Sequence, residues 1–436
     1  MIEILVSSHT NRLKYTLDLI FNHLLGVDYM IIPVNQYQSD FQKPVINYTQ
    51  LIFPDVFTIP NTGLLKENEI QPVDIRIKKR DIPYLFSFSV SASSYQVDFD
   101  LFSAVFYLVS DYEKYAEKHL DQYHRYDQPR YESSQLGLSE IPLVHWYCEL
   151  LWERLKQFYP PEHLPERRKN QFSDLITFDI DFPWKYKYKG LKFTLGGLAR
   201  DLVKGKWNNV ASRISTILTG KDPNDTYELI FNHCAPDKTL FFFLIDRNSE
   251  HDSRFTYQNP HVRKLIRQIR EKGYRTGIHP SFTSYLNKKR IQSEARHLED
   301  IVEIPIADSR QHFLRYALPD TFRFLIEAGM KTDYTLCLFH TGGFPCGMAR
   351  PFYWYDLEND TQTDLLLVPS IVMDRTLQQY MGLSPIEAVE RIRKLRQVCQ
   401  EINGQFTLLL HNDVLSEEEE WKGWREPILE ILRELS

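Results

Sequence analysis

Long apolar runs are missing from this 436-residue chain, and none reaches the about 18 residues a helix needs to cross a bilayer. The N-terminus, MIEILVSSHTNRLKYTLDLIFNHLLG, lacks the charged start, unbroken apolar stretch and cleavage site of a signal peptide, so a cytoplasmic protein is expected. Cysteine is sparse. Cys148, Cys234, Cys337, Cys346 and Cys399 are odd in number and never spaced CxxC, which fits reduced, buried thiols better than disulfides or a cysteine-built metal site. Positive charge is not in excess either. A net charge of −6 removes any global attraction for nucleic acid or anionic lipid, and no nucleic-acid partner is expected. There is no internal repeat and no low-complexity tract.

What is present is ample material for folded domains. The length predicts two or three of them. Aromatic residues make up 14%, a content that suits carbohydrate ligands but serves a Tyr- and Phe-rich core equally well. Residues 1–158 alternate short strands with helices. Strands are expected at Ile2–Val6, Met30–Val34 and Asp74–Ile77, and helices near Phe102–His119 and Leu143–Phe158. A helix capped by Ser/Thr follows the first strand, with Leu13, Leu17, Ile20, Phe21 and Leu24 on one face and Gly26 as its stop. The proline-rich Tyr159–Asn170 reads as a linker open to proteases. From residue 171 to 436, apolar runs recur between helical patterns. Strands are expected at Leu175–Ile180, Thr239–Ile245, Arg275–His279, Tyr334–Phe339, Leu365–Val368 and Phe406–His411. The helices are Pro260–Lys272, Lys288–Val302, Asp320–Ala328 and Pro385–Asn403. The whole chain is therefore expected to be α/β with parallel βα units, and several runs end in a polar residue: Asp179/Asp181, Asp246, His279 and His411. In parallel α/β folds that is the end where chemistry gathers.

The sharpest of these is LITFDID, Leu175–Asp181. Alternation along a strand sends Asp179 and Asp181 to the same face as Thr177. Two like charges that close repel unless a cation or a shared proton compensates. A metal-assisted hydrolase needs such a pair, one carboxylate for the ion and one for a proton. His279, in YRTGIHPSF, is a candidate ligand that could join Asp181 on a divalent ion such as zinc. His411 closes FTLLLHND, where an imidazole could donate a proton to a leaving amine. Arg310, His312 and Arg315 lie in ADSRQHFLRY, and an arginine beside a carboxylate pair can hold a base ionised. His340 and Cys346 sit in the glycine-rich FHTGGFPCGM. WKYKYKGLKF, Trp184–Phe193, could hold a phosphate or be a solvated insertion.

TFDID, GIHPS, SRQHFLR and LLLHND, in that order, resemble the carbohydrate esterase family 4 polysaccharide deacetylases. The likeness is nearest to a bacterial subgroup in which the catalytic domain follows an uncharacterised N-terminal α/β domain. KDPNDTYE (Lys221–Glu228), FFFLIDRNSEHD (Phe241–Asp252), Gly343-Phe344 with Pro351-Phe352, and MDRTL (Met373–Leu377) add to it. The resemblance covers roughly residues 172–432 and, weakly, the N-terminal part. It implies a distorted seven-stranded (β/α) barrel, a divalent metal, commonly zinc, and hydrolysis of an N- or O-acetyl group on a carbohydrate. By the same resemblance Asp179 is the base, Asp181 and His279 are metal ligands, His411 is the general acid and Arg310 orients the base. Two features depart from the family pattern. Ile180 separates the aspartates, which leaves their roles open to exchange, and Thr283 stands where a second metal histidine is expected. His312 is then the first choice for the third ligand, ahead of His340 and Asp246. The rival reading is a barrel that binds glycan or scaffolds a complex without turnover.

Overall fold

The computed structural model describes residues 1–38, 43–78, 82–87 and 95–436. The chain packs into two units. The first comprises Met1–Phe172, Gly343–Leu366 and Cys399–Gly404; the second comprises Ser173–Gly342, Leu367–Val398 and Gln405–Ser436.

In the first unit, β1 (Ile2–Val6), β2 (Tyr29–Pro33), β3 (Val45–Tyr48) and β4 (Phe57–Thr58) form a sheet in the order β2-β1-β3-β4. Every pairing in it is parallel. β1 is buried at every position, as expected of a strand covered on both faces. The helix after it starts at Asn11 behind a Thr10 side-chain cap, runs on as π-helical turns and stops at Gly26, whose φ of 65° needs glycine. Leu143–Phe158 is helical as expected. Two expectations fail here. Asp74–Ile77 is not a strand. Its alternating exposure marks extended chain, but only Lys78 makes a bridge, to Tyr84. The helix expected over Phe102–His119 breaks into Leu101–Val109 and Tyr112–Ala116, because Asp111 turns the chain at a φ of 54°.

The second unit is built on β5 (Ser173–Ile180), β6 (Thr239–Phe243), β7 (Arg275–Ile278), β8 (Asp308–Ser309), β9 (Thr332–Asp333), β10 (Val372–Met373) and β11 (Gln405–His411). They lie in the order β9-β8-β7-β6-β5-β11-β10, each neighbouring pair parallel. The chain between Val368 and β10 is bonded on both flanks. Val368 N donates to Asp333 O and Ser370 N to Leu336 O on one side, while Ile371 N donates to Thr407 O on the other. Leu175, Leu240, Phe242, Tyr334 and Val368, drawn from separate segments, pack into one apolar cluster beneath the strand ends. Tyr334–Phe339, expected as a strand, pairs mainly just before that range, with a single bridge from Cys337 to Ser370. The run after Asp181 is no solvated insertion at its start: Trp184 and Tyr186 are buried. Two helices follow it, Leu191–Val203 and Trp207–Thr219, which sequence pattern did not mark.

Candidate active site

Because β5 and its neighbours run parallel, their C-terminal ends meet on one side, and the polar residues closing them meet there too. Asp179 sits directly opposite His411 in the β5–β11 register. Its Oδ1 accepts a 2.7 Å hydrogen bond from Arg310 Nη1. Arg310 is wholly buried and fully used. Its Nε donates to the Tyr334 carbonyl at 3.0 Å, its other amino group donates to Ser370 Oγ at 2.9 Å, and the guanidinium lies 4.6 Å over the Phe242 ring. A buried charge held that completely cannot swing away, so Asp179 is fixed as well.

Asp181 lies just past the strand, among three imidazoles. His279 Nε2 is 3.3 Å from its Oδ1, and His312 and His411 Nε2 are 3.7 and 3.6 Å from its Oδ2. Each ring is oriented from behind. His279 Nδ1 is 2.5 Å from the Arg310 carbonyl, His312 Nδ1 is 3.2 Å from Asp252 Oδ1, and His411 Nδ1 is 2.8 Å from Asp374 Oδ1. An acceptor on Nδ1 puts the proton there and turns Nε2 towards the centre.

Burial opposes charge on Asp181, yet His312, His279 and His411 hold its carboxyl well below the usual range. Against the same burial, Asp181 and Asp252 lift His312 to about 9, and Asp374 with Asp181 lifts His411 to about 9.

The donor set suits a divalent cation. One ligand atom from each of Asp181, His279 and His312 lies within 4.8 Å of the others. Asp181 Oδ1 is buried with no hydrogen-bond partner, an arrangement a cation would complete. Two imidazoles and a carboxylate are a borderline-soft set that favours zinc-like ions.

Of the residues proposed from sequence, Asp179, Asp181, His279, Arg310, His312 and His411 come together. The others are elsewhere. Asp246 is taken by His297, 2.7 Å away, so it is not free to serve as third ligand. His340 packs against Phe339 and Tyr380. Cys346 belongs to the first unit. Arg315 stacks on Phe282 and Tyr285, 3.7 and 4.0 Å from the ring centres. Thr283 accepts a hydrogen bond from Arg290 and is not in the cluster.

Sequence reasoning missed Asp252 and Asp374. Asp252 accepts from the Phe282 and Asn248 amides and Ser249 Oγ besides facing His312; Asp374 also accepts from the His411 amide at 2.6 Å. Both lie in stretches noted above, FFFLIDRNSEHD and MDRTL, but a lone aspartate in a loop carries no local signal of its partner.

Residues 2–160 match the profile of a family of unknown function, DUF7033. No curated protein matches the chain. Among solved structures it is similar to a candidate polysaccharide deacetylase from Mycobacterium smegmatis, with 17% identity over 62% of this chain and 86% of that one, TM-score 0.38. It is also similar to a polysaccharide deacetylase from Bacillus cereus, with 13% identity over 61% and 88%, TM-score 0.29. A third is a carbohydrate esterase family 4 pseudoenzyme from Bacillus anthracis, with 10% identity over 61% and 62%, TM-score 0.30. Overlaps this loose carry no residue's role from one chain to another.

Proposed function

We propose that the second unit is a metal-dependent hydrolase that removes the acetyl group from an N- or O-acetylated sugar. The observation that carries this reading is the Asp181–His279–His312 trio, its two imidazoles buried, flanked by Asp179 with its arginine and by His411 with its aspartate. A divalent cation, most simply zinc, would be held by that trio and supply a Lewis acid for the acyl carbonyl and the attacking water. Asp179, held in place by Arg310, takes the proton from that water. His411, backed by Asp374, hands a proton to the departing amine or hydroxyl. Arg310 and Asp374 touch no substrate and act as positioning residues. The seven-stranded barrel belongs to the same proposal. It is supported by the bonds that tie 368–371 to 333–336 on one flank and to Thr407 on the other, and by the shared apolar cluster beneath.

The alternative, a glycan-binding protein without turnover, drew its support from Thr283. With His312 at hand as a third ligand, Thr283 no longer leaves the donor set short.

The experiment is metal content and acetate release from a panel of acetylated sugars, on wild type and three variants. Asp179→Asn and His411→Ala should retain the metal and lower kcat by about 10²–10⁴-fold. Asp181→Asn should lose metal and activity together. If Asp179→Asn strips the metal instead, the aspartates have exchanged roles. Protein that binds no divalent ion and releases no acetate would sink the hydrolase reading.

A further inference from the structure

The two helices after Asp181, α1 (Leu191–Val203) and α2 (Trp207–Thr219), are amphipathic the wrong way round. A surface helix normally turns its apolar stripe inward. On α2 the positions spaced i, i+7, i+11 are Trp207, Ile214 and Leu218, and they are 68%, 43% and 79% exposed. Its inward face carries Val210 together with Arg213 and Thr216. On α1 the outward stripe is Leu191, Leu195 and Leu202, and at the tip Val203 is 88% exposed. The polar side of the hairpin is tied down inside it. Arg213 donates to Asp201 at 2.8 Å across the two helices, and its guanidinium fills the space a Cβ on Gly197 would need. The apolar residues therefore cannot roll inward without breaking a buried ion pair.

The charge here runs against that of the whole molecule. Residues 184–221 contain nine Lys or Arg and one Asp; with the four carboxylates that face them, Asp222, Asp225, Glu418 and Glu419, the patch is +4 (9 − 5) in a chain whose net charge is −6. Lys185, Lys189, Arg200, Lys204, Lys206 and Arg213 line one cavity of about 370 Å³ in which the acidic residues are Asp201 and Glu419. Burial pushes Lys189 down to about 8 against the pull of Asp222, with Arg213, Arg254 and Arg200 adding to the lowering. Arg213 Nε is buried and makes no hydrogen bond.

We propose that this hairpin docks on an anionic lipid surface, with the leucines and Trp207 entering the interface and the basic cavity taking lipid phosphate. Exposed Leu, Ile and Trp interleaved with Lys and Arg are what an interfacial helix needs. No helix among the described residues is long and apolar enough to cross the membrane, so the hairpin lies on it. A second copy of the chain is the wrong occupant, because two net-positive surfaces would repel. The inference stands on the hairpin and does not require the hydrolase reading.

The test is flotation of the full chain with phosphatidylglycerol/phosphatidylcholine vesicles and with phosphatidylcholine alone, at low and high salt. Binding should need phosphatidylglycerol and weaken with salt as screening shortens. Lys192→Glu with Lys204→Glu and Lys206→Glu should lower partitioning on the order of 100-fold or more. Leu195→Glu with Leu218→Glu should abolish it while leaving the melting curve unchanged, since both side chains are exposed. Wild type that ignores phosphatidylglycerol overturns the proposal. So does retention on soluble polyglutamate that is indifferent to the leucine changes, which would mean a purely charge-reading site for an acidic protein. Sedimentation velocity showing a dimer that Leu218→Glu dissolves, without vesicle binding, overturns it in favour of self-association.

Discussion

Asp179 and Asp181 carry the same charge two residues apart and have opposite surroundings. One faces a buried guanidinium with every donor committed; the other faces three imidazoles and keeps one oxygen free of hydrogen bonds. In the proposed reading, environment more than residue type makes Asp179 the proton acceptor and Asp181 the ligand. His145, in the first unit, makes the same point with the sign reversed. Burial, then Arg350 and His23, lower it to about 3, and its Nε2 accepts from the Ala349 amide. It is neutral when folded, whereas the unfolded chain protonates near pH 6.5. Its contribution is therefore present above about 6.5 and lost as pH falls towards 3. Denaturant unfolding should show wild type losing about 3 kcal/mol more than His145→Gln between pH 7 and pH 4. Parallel losses in both proteins would remove His145 as the cause.

At the scale of elements, the site depends on how closely β7 sits against its neighbours. Gly277 shares its face with His279. A Cβ there would stand 2.7 Å from the Asp308 carbonyl oxygen and 2.7 Å from the Phe242 ring. Backbone and a core aromatic cannot yield cheaply. Gly277→Ala should cost about 1–3 kcal/mol and, by tilting the strand that carries His279, weaken the proposed metal binding as well. Calorimetry and metal titration read the two effects; an unchanged metal affinity would show that β7 moves without its tip. His312 is placed by a loop instead, where Phe313 and Leu314 both hold positive φ of 61° and 56°. Bulky residues there store strain, held by Phe313 packing on His312 and Phe282.

Across the whole molecule, the first unit is not one continuous stretch of chain. Arg12 is wholly buried, with its Nε 3.3 Å from Asp360; Tyr15 donates to the Tyr353 carbonyl at 2.7 Å. A chain ending at Phe172 loses both partners, and leaving a buried cation unpaired costs about 3–5 kcal/mol. That truncated chain should melt without cooperativity by circular dichroism, and a sharp transition with native near-ultraviolet bands would contradict this. The proline-rich 159–170 segment is fastened rather than loose. Tyr159 Oη donates to Val45 O at 2.6 Å, Arg168 N donates to Gly26 O at 3.0 Å, and Asn170 Nδ2 donates to His23 O and Leu24 O at 3.1 Å.

The sequence by itself determined the α/β alternation, the strands that end in Asp179, His279 and His411, and the Thr10-to-Gly26 helix, because periodicity and capping are local. The nearness of His312 to Asp181 was a conjecture in the sequence and is a distance in the structure. What only tertiary structure decided is which acceptor sits behind each imidazole, that Arg310 reaches Asp179 across 131 positions, and that 343–366 returns to the first unit. It also decided that the helices after Asp181 turn their leucines outward. An isolated loop aspartate, a turn and an apolar stripe look the same in sequence whether or not a partner faces them, since long-range pairing leaves no local pattern.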